Sequence, residues 1–365
     1  MGKKITALGL MSGTSMDGID ASLIYSDGEK SIEILGNLYL KYDSELKTKL
    51  LQLSNKINSQ EDLNVNLHEY KNLERELTLK HHEIVSKISD QFNIKANIIG
   101  FHGQTILHKP NDKYSIQMGN AELLSQLSNT DVIYQFRKKD LHHGGEGAPL
   151  TPIYHHNLKK KLNIKKPALF LNIGGIANFT FSKGNFFSAA DVGPGNCLMD
   201  MYIKKKKNLD FDLDGNIAAS GKIDNVLLNN FFEHEFYNTQ NKHSLDIKDF
   251  DINFVKGLST EDALANLNYF SAKIIYENIK KKINEDFIII LCGGGRKNKT
   301  LVSNLKKFFK NLIYNIDDFK IDGDFIESQA FAYLSIRSLY KKNISFPETT
   351  KVKKAISGGE LIKAI

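Results

Sequence analysis

The chain has 365 residues, of which 41% are hydrophobic, 10% aromatic and 25% charged. At roughly 100–200 residues per domain this length predicts two domains. The balance of apolar and charged residues excludes wholesale disorder and a collagen-like chain. No apolar run approaches the roughly 20 residues of a spanning helix, so a soluble protein without a membrane partner is expected. The formal charge of +7, from 49 basic and 42 acidic residues, is spread over short runs such as Lys159–Lys161, Lys204–Lys207 and Lys280–Lys282. They lack interleaved aromatics and argine-rich stretches, which reads as a solvated surface rather than a nucleic-acid interface. Cys197 and Cys292 are the only cysteines. Two distant thiols exclude a cysteine-rich zinc module and suit a reducing compartment, and the N-terminal apolar stretch is too short for a signal peptide. A cytoplasmic location is expected.

In chain order, Ile5–Met11 and Ile19–Tyr25 read as strands around the polar turn Ser12–Gly18, and Ser31–Leu40 offers a third alternating segment. Residues 44–92 are charged, with apolar positions near helical spacing, and predict a long helical region. Ile98–Phe101 then returns as a buried strand leading into His102-Gly-Gln-Thr105. The pattern restarts with a strand at Pro167–Ile173, a turn at Gly174–Gly175 and strands at Ala177–Phe181 and Phe186–Asp191. A helix over Ala263–Ile283 precedes the strand Phe287–Leu291 and the turn Gly293–Gly295. Two similar α/β halves are predicted, with the crossover within Lys138–Lys166 and an interdomain cleft as the place for a site.

Three glycine turns follow apolar strands. Glycine lets the backbone approach a ligand, so Ser12–Gly18, Gly174–Gly175 and Gly293–Gly295 are candidate phosphate or nucleotide contacts, with Ser12, Thr14 and Ser15 as hydroxyl donors. Each turn alone reads more readily as an ordinary connection, and the three together in a duplicated α/β chain favour ligand contacts. Neither a P-loop nor a dinucleotide-binding glycine signature occurs. Asp191 ends a strand before Gly193-Pro-Gly-Asn196, the setting of a preorganised general base or of a cap for a helix near Asn196. Asp210–Gly215 has some look of a calcium loop but lacks its ligand spacing, so an exposed turn is expected. Arg137 offers a forked donor for a carboxylate, or a structural ion pair with Asp140. His142-His143 and His155-His156 lack zinc-site spacing.

Six ordered segments together resemble the anhydro-N-acetylmuramic acid kinase family. They are Gly9-Leu-Met-Ser-Gly-Thr-Ser-Met-Asp-Gly-Ile-Asp20, Gly100-Phe-His-Gly-Gln-Thr105, Gly144-Gly-Glu-Gly-Ala-Pro-Leu150, Leu171-Asn-Ile-Gly-Gly-Ile-Ala-Asn178, Asp191-Val-Gly-Pro-Gly-Asn196 and Glu327-Ser-Gln-Ala-Phe-Ala332. The resemblance implies the α/β, two-lobed, duplicated actin-like ATPase fold of sugar kinases, actin and Hsp70, with an interdomain cleft. The lobes are expected at 1–137 plus about 343–365, and at 138–342. It also implies ATP-dependent hydrolytic opening and O6 phosphorylation of 1,6-anhydro-N-acetylmuramic acid in cell-wall recycling. Alternatives are a kinase of a levoglucosan-like anhydrosugar and a non-enzymatic ATP switch.

By this resemblance Asp191 matches the catalytic base. Gly13, Thr14, Ser15, Met16, Asp17, Gly18, Ile19 and Asp20 match the ATP phosphate segment, joined by Gly174, Gly175, Gly293, Gly294 and Gly295. Glu327, Arg137 and Gln104 are substrate-side residues. The first turn lacks the Asp-x-Gly of many wider relatives, which leaves Asp17 and Asp20 as candidate Mg²⁺ ligands. Glu146 stands where the family pattern suggests glutamine and calls for pairing with Arg137 or a lysine. ATP and a small anhydrosugar are the expected partners, with a homodimer as an open assembly and no nucleic acid.

Overall fold

The computed structural model describes residues 2–233 and 252–364. They pack as two units, Met1–Asn163 with Phe325–Ile365, and Ile164–Asp324.

The first unit opens with the antiparallel meander β1 (Ile5–Ser12), β2 (Gly18–Ser26) and β3 (Ile32–Lys41). The alternation of β2 sends Ile19, Ala21 and Leu23 into one apolar cluster and leaves Asp20 and Ser22 on the other face. That cluster is covered by α1 (Ser44–Lys56), α2 (Gln60–Val65) and α3 (Leu67–Phe92). The long helical region is thus broken twice. Asp43 caps α1 through Leu46 N–H at 2.8 Å, and Ser59 restarts the chain as the cap of α2. β4 (Ile98–Lys109) runs parallel to β1, with β5 (Tyr114–Met118) on its far end. α4 (Ala121–Ser128), β6 (Asp131–Tyr134), α5 (Lys138–His142) and α6 (Pro152–Lys161) follow.

The second unit repeats the plan. β7 (Ala168–Ile173), β8 (Ile176–Lys183) and β9 (Phe186–Pro194) form a meander, followed by α7 (Cys197–Lys207), α8 (Asn216–Ser220) and α9 (Asn225–Glu233). α10 (Thr260–Lys282) is capped by Ser259 and buries Ala263, Leu264, Leu267 and Ile275 against the sheet. β10 (Ile288–Cys292) lies parallel to β7, and after α11 (Lys299–Phe308) the strand β11 (Ile313–Asn315) lies parallel to β10. The strand orders are β6-β4-β1-β2-β3 and β11-β10-β7-β8-β9. The expected duplication is therefore one of topology, carried by a meander and two parallel strands in each unit.

The chain then returns to the first unit as α12 (Ile326–Leu339), α13 (Pro347–Thr350) and β12 (Glu360–Ile362), which pairs with β6. α12 is buried although it carries Ser328, Gln329 and Arg337. Ser328 Oγ meets Ser22 Oγ at 2.7 Å, Gln329 accepts from Tyr154, and Arg337 donates to the Gly28 and Asn343 carbonyls. Asn157 also donates to Tyr333 at 2.9 Å. These bonds tie α6 and α12 to the first unit, so the boundaries fall at 163/164 and 324/325 rather than at 137/138 and near 342/343.

Two paired glycines let α12 lie against the strands. Gly9 and Gly100 are neighbours in register across β1 and β4. A Cβ on Gly9 would stand 1.9 Å from the Ser328 carbonyl oxygen, and one on Gly100 would stand 2.3 Å from that of Phe331. Backbone cannot yield to such contacts without moving the helix. Gly9→Ala is expected to cost about 1–3 kcal/mol or more, read as a lower urea midpoint. Gly13→Ala, whose added carbon meets nothing nearer than Ser15 Oγ at 3.6 Å, should unfold at nearly the parental midpoint.

Candidate active site

Between β1 and β2 the turn bends at Met16, whose φ is 51° and whose N–H donates to the Gly13 carbonyl at 3.1 Å. Thr14, Ser15 and Asp17 are exposed, while Met16, Gly18 and Ile19 are buried and Gly13 and Asp20 half-buried. Ser15 Oγ donates to Asp17 Oδ1 at 2.7 Å. The Asp17 carbonyl receives Tyr42 N–H at 2.9 Å and the Tyr39 hydroxyl at 3.0 Å. Gln104 Nε2 donates to the Gly13 carbonyl at 2.9 Å. Both ends of the turn are therefore held while its crest faces outward.

Ser12 differs from its expected role as an outward hydroxyl. It is buried, 2.8 Å from the Tyr42 hydroxyl and 3.1 Å from His81 Nε2. His81 Nδ1 lies 2.8 Å from the Leu77 carbonyl, which assigns the proton there and leaves Nε2 as acceptor for Ser12. Burial pushes the His81 imidazole down to about 4, with the Leu77 bond opposing, so it stays neutral. Gln104 is likewise interior rather than substrate-facing: it is fully buried and its amide serves the turn.

On the same unit, the Arg137 guanidinium is aimed by three acceptor contacts. Nε and Nη2 reach His102 Nε2 at 3.2 and 2.9 Å, and Nη1 donates to the Gly147 carbonyl at 2.8 Å. The N–H of Gly147 donates to Asp140 Oδ1 at 2.6 Å, and Thr350 Oγ1 donates to Asp140 Oδ2 at 2.5 Å. Arg137 and Asp140 thus hold opposite ends of one residue's backbone instead of forming the direct pair that sequence had left open. Asp140 is 1% exposed, and its bonds shape the loop Gly144–Gly147. Within that loop Glu146 is half-buried and donates its N–H to the Thr350 carbonyl at 2.6 Å.

Burial pushes Arg137 down to about 10, with Glu327 and Asp140 acting the other way, so it remains charged at neutral pH. Burial raises the carboxyl of Glu327, at the start of α12, above the ordinary range, and Arg137 opposes that rise. The Arg137 cation and the Glu327 carboxyl therefore lie within electrostatic reach of each other. His102 and Asp140 were not assigned these roles from sequence. The His102-Gly-Gln-Thr105 segment was the only signal for His102, and nothing local tied Asp140 to Thr350.

In the second unit Asp191 sits on β9 at an interruption of the ladder. Asn178 pairs with Asp191 and Ala177 with Gly193, so Val192 is the extra residue of a bulge. The Val192 carbonyl accepts from Asn278 Nδ2 at 3.0 Å. Gly193 has φ 142°, and a Cβ there would lie 2.5 Å from Ile274 Cγ2. Asp191 is half-buried and is not the helix cap, since α7 begins at Cys197 after Asn196. The Gly174 and Gly175 carbonyls accept from Gly195, Asn196 and Cys197 N–H at 2.8–3.2 Å. Gly174 N–H is occupied by the Ile176 carbonyl at 3.3 Å, so this turn joins the β7–β8 connection to the start of α7.

At the end of β10, Gly293 and Gly295 pack on β7: added Cβ atoms would stand 2.4 Å from Asn172 Oδ1 and 2.3 Å from Ile173 Cγ2. Gly294 has nothing within 4 Å of that position, so its face is open. Arg296, a basic residue directly after this glycine turn, is buried. It bonds to both Asp317 oxygens, to Asp324 at 2.5 Å and to the Gly293 carbonyl at 3.1 Å. Asp212 accepts from Ile217 and Ala218 N–H at 2.9 Å, so its carboxylate serves the first turn of α8, whose cap residue is Gly215.

Among the described residues no group of three or more His, Cys, Asp or Glu side chains is arranged to hold a metal. Asp17 and Asp20 both act on the Tyr39 hydroxyl, which desolvation chiefly pushes up to about 12. Two carboxylates beside an outward turn fit a Mg²⁺ ion that takes most of its ligands from water and phosphate.

A family model described as anhydro-N-acetylmuramic acid kinase matches residues 5–364. A relative of that name in Pelagibacter ubique (strain HTCC1062) is 49% identical over the full length of both chains. One in Rhizobium etli is 36% identical over 98% of each chain, and one in Agrobacterium fabrum is 35% identical over 100% of each.

The raised Glu327 carboxyl has a consequence for stability. Above its folded-state value the ionised form is disfavoured relative to the unfolded chain, whereas below the ordinary carboxylate range both states are protonated. Glu327→Gln should therefore melt higher than the parent at neutral pH, and the difference should shrink as pH falls towards 4. Thermal unfolding across that range measures it.

Proposed function

Because the chain belongs to the anhydro-N-acetylmuramic acid kinase family, we propose that it opens 1,6-anhydro-N-acetylmuramic acid with water and phosphorylates O6 from ATP. The products are N-acetylmuramic acid 6-phosphate and ADP, a step in the recycling of cell-wall peptidoglycan. The observation that carries this reading is the family match over residues 5–364, unbroken from β1 to beyond β12. No helix among the described residues is long and apolar enough to cross a membrane, and use of ATP fits work in the cytoplasm.

Asp191 is the general base of this mechanism. It takes a proton from the water whose oxygen bonds to C1. The C1–O6 bond breaks as O6 bonds to the γ-phosphorus, and ADP leaves. The bulge at Val192 supports this assignment because it interrupts the regular side-chain alternation beside Asp191 and anchors the strand through Asn278. Anhydro-ring opening and phosphoryl transfer then proceed without a free O6 alkoxide, the least stable species the reaction could form.

The outward crest of the first turn, from Gly13 to Asp17, is the phosphate contact. Its backbone is held from behind by Gln104, Tyr39 and Tyr42, so little ordering remains when a polyphosphate binds. Asp17 or Asp20 would hold a Mg²⁺ ion beside the phosphates, where it would supply charge neutralisation at the transferring group. The open face of Gly294 suits a flat base or ribose. Arg137 receives the lactyl carboxylate, which favours the muramic acid over a lactyl-free anhydrosugar. Glu327 faces sugar hydroxyls or the attacking water.

Asp191→Asn is expected to bind ATP normally and to lose about 10²–10⁴-fold in turnover. Near-parental turnover would remove Asp191 from the base role. In isotopically labelled water, mass spectrometry should find solvent oxygen on C1 of the sugar phosphate and none in the phosphoryl group; label in the phosphoryl group would contradict ring opening by water.

A further inference from the structure

His102 is a buried imidazole with a defined protonation pattern and no place in the chemistry above. It is 4% exposed, packs against Phe331 of α12 with tilted rings 4.5 Å apart between centroids, and has Nδ1 2.8 Å from the Gly103 carbonyl. Gly103 has φ 74°, and a Cβ there would stand 2.4 Å from the Met118 carbonyl, so the accepting peptide is fixed in turn. With the proton on Nδ1, Nε2 can only accept, and it lies within reach of two nitrogens of Arg137 at 3.2 and 2.9 Å. One lone pair shared by Nε and Nη2 fixes the rotation of the guanidinium about its long axis. The Gly147 carbonyl, 2.8 Å from Nη1, fixes its other side. A guanidinium has five N–H groups. With one each on Nε, Nη2 and Nη1 engaged, one hydrogen on each terminal nitrogen is left to meet a ligand.

We propose that His102 is a positioning and specificity residue: as a neutral Nδ1–H imidazole it orients Arg137 so that its terminal nitrogens meet the sugar's carboxylate. This rests on the reading of Arg137 as the carboxylate receptor. The imidazole is suited to the task because it accepts from a cation without adding a negative charge. A carboxylate at the same place would neutralise Arg137 and repel the ligand it serves. Burial, with Arg137 itself acting in the same direction, holds His102 well below its ordinary range, so the acceptor persists through the neutral region. His102 then works through Arg137 and never touches the reacting atoms.

The test compares His102→Gln, which keeps an acceptor, with His102→Met, which has similar bulk and no comparable one, alongside Arg137→Ala and the His102→Met/Arg137→Ala double variant. Steady-state constants are measured on 1,6-anhydro-N-acetylmuramic acid and ATP. His102→Met should raise the sugar KM about tenfold or more, the range for losing a hydrogen bond to a charged group. The KM for ATP should stay within about twofold, and His102→Gln should restore most of the sugar KM. Added to Arg137→Ala, the methionine should change the sugar KM by less than about twofold, because the group it acts through is gone. Multiplying penalties in the double variant, a parallel rise in the ATP KM, or equal losses for Gln and Met would each overturn the proposal. The nitrogen-15 imidazole spectrum of the unaltered protein tests it without any variant. A neutral Nδ1–H ring at neutral pH is expected, and an imidazolium or the Nε2–H form would overturn it. Lack of ATP-dependent turnover in the unaltered enzyme would instead refute the kinase reading, and would leave the imidazole result standing.

Discussion

The close approach of α12 to the Gly9–Gly100 pair is the constraint from which much of the first unit follows. Two neighbouring strands present backbone without side chains, and the helix settles with its carbonyls where two Cβ atoms would otherwise be. That depth lets Ser328 reach Ser22 and lets Phe331 pack against the ring of His102. It also brings Glu327 within electrostatic reach of Arg137. The helix has polar residues around its circumference, and the bonds of Ser328, Gln329 and Arg337 make such burial tolerable.

Both units use their repeated topology similarly. A meander and parallel strands end in connections whose backbone is anchored from behind by buried polar groups. In the first unit Ser12, Tyr42, His81 and Gln104 hold the turn after β1. In the second, the connection after β10 is braced by Arg296 with Asp317 and Asp324, and by a chain of amides through Asn298, Asn268 and Asn304. A turn braced in this way would gain as a ligand contact because its ordering is completed during folding rather than during binding. The same bracing explains why Arg296, basic and beside a glycine turn, is structural: its guanidinium is taken up by carboxylates and the Gly293 carbonyl.

Neutral buried histidines recur as acceptors. His81 and His102 each donate through Nδ1 to a nearby backbone carbonyl and accept through Nε2, from a serine in one case and an arginine in the other. Burial keeps both rings uncharged. An acceptor of this kind is available without the desolvation cost of a buried carboxylate. Asp140 shows the alternative, a carboxylate made tolerable in the interior by the Gly147 N–H and the Thr350 hydroxyl.

Strand and helix periodicity in the sequence specified both meanders, the parallel strands β4 and β10, and a helix over 263–283 that the fold places at 260–282, because burial of alternating or helically spaced apolar residues is a local requirement; the short strands β6 and β11 escaped it. The ordered motifs specified the family and brought Asp191, Arg137 and Glu327 to notice. What lay beyond the sequence were partnerships across long separations. Gln104 serves Gly13, Thr350 serves Asp140, Tyr154 serves Gln329, and the unit boundaries follow such bonds rather than changes in composition. The bulge at Val192 also needed the pairing of β8 with β9 to become visible. Hydrogen-bond geometry is decided only when distant segments meet, so a polar residue's type announces that it needs a partner, and the folded chain alone decides which one it finds.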